Sequence, residues 1–181
     1  MKLRASGTDP SLRGTFFSLA FRDAGTAATI IGHQNVQKRM DARKLPVDAA
    51  PTDTFLEERR RTFRNGDAIE MLWQRNAITD GDSIVHFRRA DVIVAGNIFS
   101  TTGYPHIDAA NGGGIDGEIT ALNQILARTV YQHQGEGGTL VVPGHGYLSD
   151  EHEVVEYRDM LAIVRDRIRA KIGRASCRER V

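Results

Sequence analysis

The spacing of hydrophobic residues changes along the chain, and the change separates strands from helices. Between Arg61 and Phe99 the period is that of strands, which predicts a meander of neighbouring antiparallel strands. Asn65-Gly66 within this region indicates a tight hairpin turn. The continuously apolar run Val92–Ala95 predicts a strand that is covered on both faces.

Helical spacing dominates the second half. Ile115–Val130 is predicted as a helix, because its apolar residues recur every three or four positions. A capping box of Asp150 and Glu153 predicts the start of the last helix, and its expected buried stripe is Val154, Tyr157, Leu161, Val164 and Ile168. Shorter elements are expected in the first half: a helix or buried turn at Thr15–Asp23, a strand at Thr29–Gly32 and a helix at Asn35–Ala42. This order predicts an α/β layered fold with helices outside the sheet faces.

One histidine stands at the end of a predicted strand. Leu140–Val142 is apolar and mostly β-branched, and Pro143-Gly144 is expected to end that strand. His145 then lies between two glycines, just before the last helix. Such a turn can present the imidazole ring to a bound ligand or metal. The next question is which other residues are expected to lie near it.

Composition and charge exclude several classes of protein. The chain has 181 residues, 40% hydrophobic, with a net charge of +1, which is typical of one soluble globular domain. A nucleic-acid binder would show a basic surplus, and a membrane span would need about 20 consecutive apolar residues; the sequence has neither. Residues 1–14 contain no hydrophobic segment of the kind found in signal peptides.

The last ten residues, Ile172–Val181, are predicted to be foreign to the fold. They break the helical pattern that precedes them and resemble the translation of a sequencing-adapter oligonucleotide. Setting them aside removes three arginines and one glutamate, so the net charge falls from +1 to −1. It also removes Cys177, the single cysteine.

Three stretches in order, Asn76–Phe87, Asp91–Pro105 and Leu140–Gly146, resemble the second half of a metallo-β-lactamase-fold hydrolase. The resemblance extends from Thr29 to Lys171. It implies a four-layer αββα sandwich with one or two metal ions, usually zinc, at the rim of two sheets. Metal-bound water would then attack an ester, amide or phosphoester bond of a small-molecule substrate. Residues 1–171 are therefore predicted to form an incomplete domain of this kind.

Only one of the three metal-ligand positions that the resemblance assigns in this chain has the residue that the family has there. His145 takes the place of the late metal-binding histidine, whereas Ile78 stands where the family has histidine and Asn97 where it has aspartate. The early His-x-His-x-Asp-His cluster is absent, and residues 1–10 resemble the sequence just after it. We therefore expect that an N-terminal sheet and its ligands are missing.

These substitutions weaken the expected metal site. Ile78 cannot bind a metal, and Asn97 offers only a neutral oxygen, a poor zinc ligand. Asp80 and Asp82 are candidates for orienting a ligand or for building an Asp-Gly turn, and His106 is a candidate for the substrate cleft. His33, His86 and His133 are interpreted as strand, loop or surface residues. Gly112–Gly114 is interpreted as a flexible loop rather than an anion-binding one.

Two functional hypotheses remain open at this point. The first is a zinc-dependent hydrolase with an incomplete metal site. The second is an inactive fragment or degenerate homologue that acts at most as a binding module. For His145 the structural alternative is a residue that fills a glycine-flanked turn, and for Asn97 it is a side chain that caps the end of its strand.

Overall fold

A computed structural model describes residues 29–44, 50–129 and 138–178 of the chain, with side chains up to residue 173. The segment Thr15–Asp23 and His133 lie outside the described residues. The described elements are β1 (Ile31–His33), α1 (Gln34–Ala42), β2 (Asp53–Phe55), β3 (Arg59–Arg64), β4 (Asp67–Gln74), β5 (Asp82–Phe87), β6 (Val92–Ser100), α2 (Ile115–Thr129), β7 (Leu140–His145) and α3 (Glu151–Arg178).

The main sheet has five strands in the order β3-β4-β5-β6-β7. The first four form the predicted antiparallel meander, and β7 joins β6 in parallel. Asn65 and Gly66 have φ angles of 52° and 76°, as a two-residue hairpin turn requires. The hairpin prediction is confirmed, and the fold is of the α/β class.

The core lies between this sheet and helices α2 and α3. Leu72 pairs with Ile84 across β4 and β5, and Ile93 pairs with Val141 across β6 and β7, so all four side chains point to one face. Leu122 and Leu161 of the two helices pack against them. The prediction that Val92–Ala95 is covered on both faces is wrong: Ile93 and Ala95 are fully buried, but Val92 and Val94 on the other face are only half-buried.

The opposite face of the sheet carries the small β1-β2 sheet and α1 at one end. The His33 ring is buried and stacks on the Trp73 indole at 4.0 Å between ring centroids, while Phe55 meets it edge-on. His33 also accepts a hydrogen bond from the Asn35 N–H at the start of α1. His33 is therefore a packing and capping residue.

The last helix begins as predicted but continues further. The Asp150 carboxylate accepts from the His152 N–H and the Glu153 carboxylate accepts from the Asp150 N–H, which is the expected capping box. Its buried stripe ends earlier than expected, since Ile168 is exposed. The backbone nevertheless stays helical to Arg178, beyond the expected break at residue 172. No helix in the described ranges is long and apolar enough to cross a bilayer.

Candidate functional site: a cleft at the ends of β6 and β7

Two glycines bring the ends of β6 and β7 unusually close together. A Cβ on Gly144 would lie 2.6 Å from the Gly96 carbonyl oxygen. The two strands therefore could not lie this close together with a larger residue at position 144. Gly96 has a φ of 57°, and the register between the strands shifts on both sides of it. This bulge places Asn97 beside the end of β7.

His145 lies at the end of β7 rather than beyond it. Pro143 and Gly144 were expected to stop the strand, but β7 runs through both of them to His145. The proline is tolerated because β7 is an edge strand of the described sheet, where an N–H is not required on the free side. The His145 carbonyl accepts from the Thr101 N–H at 3.1 Å, and the imidazole is exposed.

The turn after His145 is fixed by hydrogen bonds. Gly146 has a φ of 109° and leaves room for the Thr101 hydroxyl, which accepts from the Tyr147 N–H at 3.1 Å. Ser149 then returns to Val141 through two backbone hydrogen bonds. The imidazole thus belongs to the last residue of β7, and the short turn that follows it is anchored.

The third side of the cleft is the turn that contains Ile78. The segment 108–114 is bound to it through backbone hydrogen bonds: the Ile78 oxygen accepts from Asp108, and the Asn111 oxygen accepts from Asp80. A Cβ on Gly113 would lie only 2.1 Å from the Ile78 oxygen. The glycine-rich segment therefore packs tightly, and its interpretation as a flexible loop is wrong.

These elements enclose a cleft of about 480 Å³. Five of the six residues singled out from the sequence line it together: Ile78, Asp82, Asn97, His106 and His145. The rest of the lining is mainly polar and was not anticipated. Thr79 comes from the turn that contains Ile78, and the others come from the end of β6 and the loop after it; they include Ser100, Thr102, Tyr104 and Asp108.

The two aspartates of the turn have different roles. Asp80 forms an ion pair with Arg39 of α1 and does not line the cleft. Asp82 lines the cleft and accepts a hydrogen bond from the Thr79 N–H at 2.5 Å. Burial raises the pKa of the Asp82 carboxyl, although the hydrogen bonds from Thr79 oppose this shift.

A buried carboxyl group below the cleft was missed in the sequence. Glu118 of α2 is fully buried, and neither carboxylate oxygen has a hydrogen-bond partner among the described residues. Burial, together with the nearby Asp82, raises the pKa of Glu118 to about 9, so the group is protonated at neutral pH. Its position was detectable, because residue 118 falls on the apolar stripe with Ile115 and Leu122.

The side chains of this cleft do not form a zinc site. Protein zinc sites take three or four nitrogen, oxygen or sulfur donors, and across the described residues no three His, Cys, Asp or Glu side chains gather so as to hold a metal ion. The Asp82 carboxylate already accepts a hydrogen bond from the Thr79 N–H, and the Asp108 carboxylate accepts from the Asn111 backbone and side-chain amides. His145 is left with Asn97 and the apolar Ile78 at the positions that the resemblance assigns to metal ligands.

Several solved structures with a similar architecture are metallo-β-lactamases. The chain is similar to a metallo-β-lactamase from Pontibacter korlensis, with a TM-score of 0.60 at 14% identity over 79% of this chain and 61% of that one. DIM-1 metallo-β-lactamase gives 0.62 at 14% identity over 83% and 64%, and VMB-1 gives 0.60 at 12% identity over 81% and 61%. The chain has the metallo-β-lactamase fold.

The likeness is one of fold and not of close sequence. The chain covers about three fifths of the length of each of these structures. No family model matches the sequence, and no curated protein matches it. The metallo-β-lactamase fold of this chain therefore rests on its three-dimensional architecture.

Proposed function

We propose that this chain is a relative of metallo-β-lactamase-fold hydrolases whose cleft binds a small polar molecule and does not bind zinc tightly. The observation that carries the proposal is the chemistry of the three assigned metal positions. One offers an imidazole, one a neutral amide and one an aliphatic side chain. A single good donor does not hold zinc against water.

The cleft still suits a small polar ligand. It is a pocket of several hundred cubic ångströms, the usual size for small-molecule sites. Its hydroxyl groups, the Asn97 amide and the exposed His145 and His106 imidazoles provide both donors and acceptors. In such a site His145 would orient a bound molecule rather than a metal.

The second candidate is an active zinc hydrolase acting on an ester, amide or phosphoester. One observation favours it: His145 is exposed at the cleft on a turn that hydrogen bonds hold in place. With metal bound, such a site would supply hydroxide near neutral pH. The two candidates differ in how much zinc the chain retains.

Zinc content after loading and desalting separates these candidates. We expect the unaltered chain to retain far less than one equivalent and not to hydrolyse generic ester or lactam substrates. The double variant Ile78→His/Asn97→Asp would give three donors together with His145, and we expect it to retain about one equivalent. His86→Ala, a change outside the cleft, is the control for incidental histidine binding.

Two outcomes would overturn the proposal. One is a full equivalent of zinc on the unaltered chain that is lost in His145→Ala. The other is measurable hydrolysis that disappears with the same substitution. Circular dichroism of each variant verifies that the comparison is made between folded proteins.

A further inference from the structure

A second cavity lies on the other side of residues 76–78, between the sheet edge and α2. It has a volume of about 630 Å³ and is lined by β4, the start of β3 and the outer side of α2. Asn76 lines this cavity and Ile78 lines the cleft, so the same short segment separates the two. We call this cavity the arginine groove, because Arg59, Arg75 and Arg128 all line it.

Two of these arginines have no carboxylate partner. Arg75 pairs with Glu58 at 2.5 Å and lies over the Trp73 ring. Glu70, the other nearby carboxylate, pairs with Arg61. Within the ranges that the structure describes, no ion pair joins Arg59 or Arg128 to an acidic side chain, so the groove carries an excess of positive charge.

Arg128 is placed where its charge is poorly solvated. The side chain is half-buried in the last turn of α2 and donates one hydrogen bond to the Gln124 carbonyl at 2.8 Å. Burial lowers the pKa of the Arg128 guanidinium; the Glu70 carboxylate opposes this shift, and the charge of Arg59 adds to it. The Glu70 carboxylate interacts with both guanidinium groups and offsets part of the repulsion between Arg59 and Arg128.

The walls of the groove also provide neutral hydrogen-bonding groups. Gln74 donates to the Gln124 side chain at 3.1 Å, which links the sheet to α2. Asn76 and Thr120 also line the groove; the Asn76 amide donates one hydrogen bond to the Gly112 carbonyl, and the Thr120 hydroxyl donates to the Asp116 carbonyl. Guanidinium groups with amide and hydroxyl neighbours are the donors that bind phosphate oxygens in proteins.

We propose that the arginine groove binds the phosphate group of a small molecule. Three guanidinium groups and one paired carboxylate favour a ligand with more than one negative charge, which phosphate has and a monocarboxylate lacks. The groove is a local concavity rather than a continuous basic stripe, which favours a small ligand over a nucleic acid. The proposal is independent of the function assigned to the cleft.

Inorganic phosphate is the probe that tests this site. Binding to the full chain is measured by calorimetry at pH 7.5 in chloride buffer of fixed ionic strength. We expect Arg59→Gln and Arg128→Gln each to weaken phosphate binding about tenfold or more, because each removes a charge-assisted hydrogen bond. Arg64→Gln, at the other end of β3, is the matched control and leaves binding unchanged, as does His152→Ala, an exposed residue outside both cavities.

The outcomes decide the proposal in either direction. Absence of phosphate binding, or equal binding by all five proteins, overturns it. Acetate binding as tightly as phosphate also overturns it, since the groove would then be a carboxylate site. If Arg128→Gln does not fold, Arg59→Gln decides alone, because Arg59 is exposed and makes no hydrogen bond that the fold needs.

Discussion

The cleft and the arginine groove lie on either side of residues 76–78, but they are built in opposite ways. The cleft depends on its backbone: Gly113 and Gly144 allow contacts that no larger residue permits, and Gly96 adopts a positive φ. The groove uses the regular backbone of β3, β4 and α2, and its chemistry lies in side chains. The shape of a site and its chemistry are thus encoded by different residues. Ile78 and Asn97 illustrate this, because both line the cleft although the resemblance predicts metal donors at their positions.

The largest effect is expected from filling a backbone contact of the cleft. Gly113→Ala would place a methyl group 2.1 Å from the Ile78 oxygen, and we expect a loss of about 3 kcal/mol in the free energy of unfolding. Gly103→Ala in the same loop is the control, since a Cβ there meets nothing within 4 Å. Urea unfolding measures both. Equal free energies of unfolding for the two variants would show that the cleft backbone can adjust to the added methyl group. The cleft would then not depend on its backbone as proposed.

The next effect is pH-dependent and concerns Glu118 beneath the cleft. Because the pKa of Glu118 is about 9 in the folded protein and the ordinary value is 4.5, the native state keeps a proton that the unfolded chain releases. Stability is therefore expected to be highest below the unfolded value and to fall as pH rises toward 9, by at most about 1.4 kcal/mol per pH unit. We expect roughly 2 kcal/mol of loss between pH 6 and pH 8.

Glu118→Gln provides the comparison for this slope. The amide does not titrate, so its stability should change little over the same range even if its absolute value differs. Unfolding midpoints at four pH values measure both proteins. A slope that persists in the variant would assign the pH dependence to another group, with Asp82 as the next candidate because its pKa is also raised.

The smallest effect on stability is expected from a substitution of Asp80, which does not line the cleft. Asp80→Asn breaks a partly exposed ion pair with Arg39, so we expect a loss of about 1 kcal/mol or less, reduced further in high salt. Zinc retention by the Ile78→His/Asn97→Asp variant should be unaffected. A marked drop in retention would instead place Asp80 among the residues that orient the metal ligands, as the sequence alone allowed.

Much of the fold was readable from local pattern. The hairpin at Asn65-Gly66, the antiparallel meander, the capping box at Asp150 and the approximate bounds of α2 all follow from residues that are close in the chain. The turn carrying His145 was found in the same way, although its strand runs through Pro143 because an edge strand does not need that N–H.

Other features depended on which elements became neighbours. Asp80 and Asp82 are equivalent by pattern, and only the position of α1 pairs one of them with Arg39 while the other faces the cleft. The position of Glu118 on the apolar stripe of α2 was visible in the sequence, but only the packing of the helices on the sheet left its carboxyl group without a hydrogen-bond partner among the described residues. The tight packing of Gly113 on Ile78 likewise requires two loops that are distant in sequence.

The sequence by itself determined the strand and helix pattern and the side chains at positions 78, 97 and 145, because these depend on residue identity and short-range geometry. Tertiary structure alone decided that five of the predicted residues share one cleft and that Arg59 and Arg128 share another cavity. The physical reason is that burial, ion pairing and like-charge repulsion depend on distance in space. For residues far apart in the chain, that distance is set only when the sheet and its helices pack together.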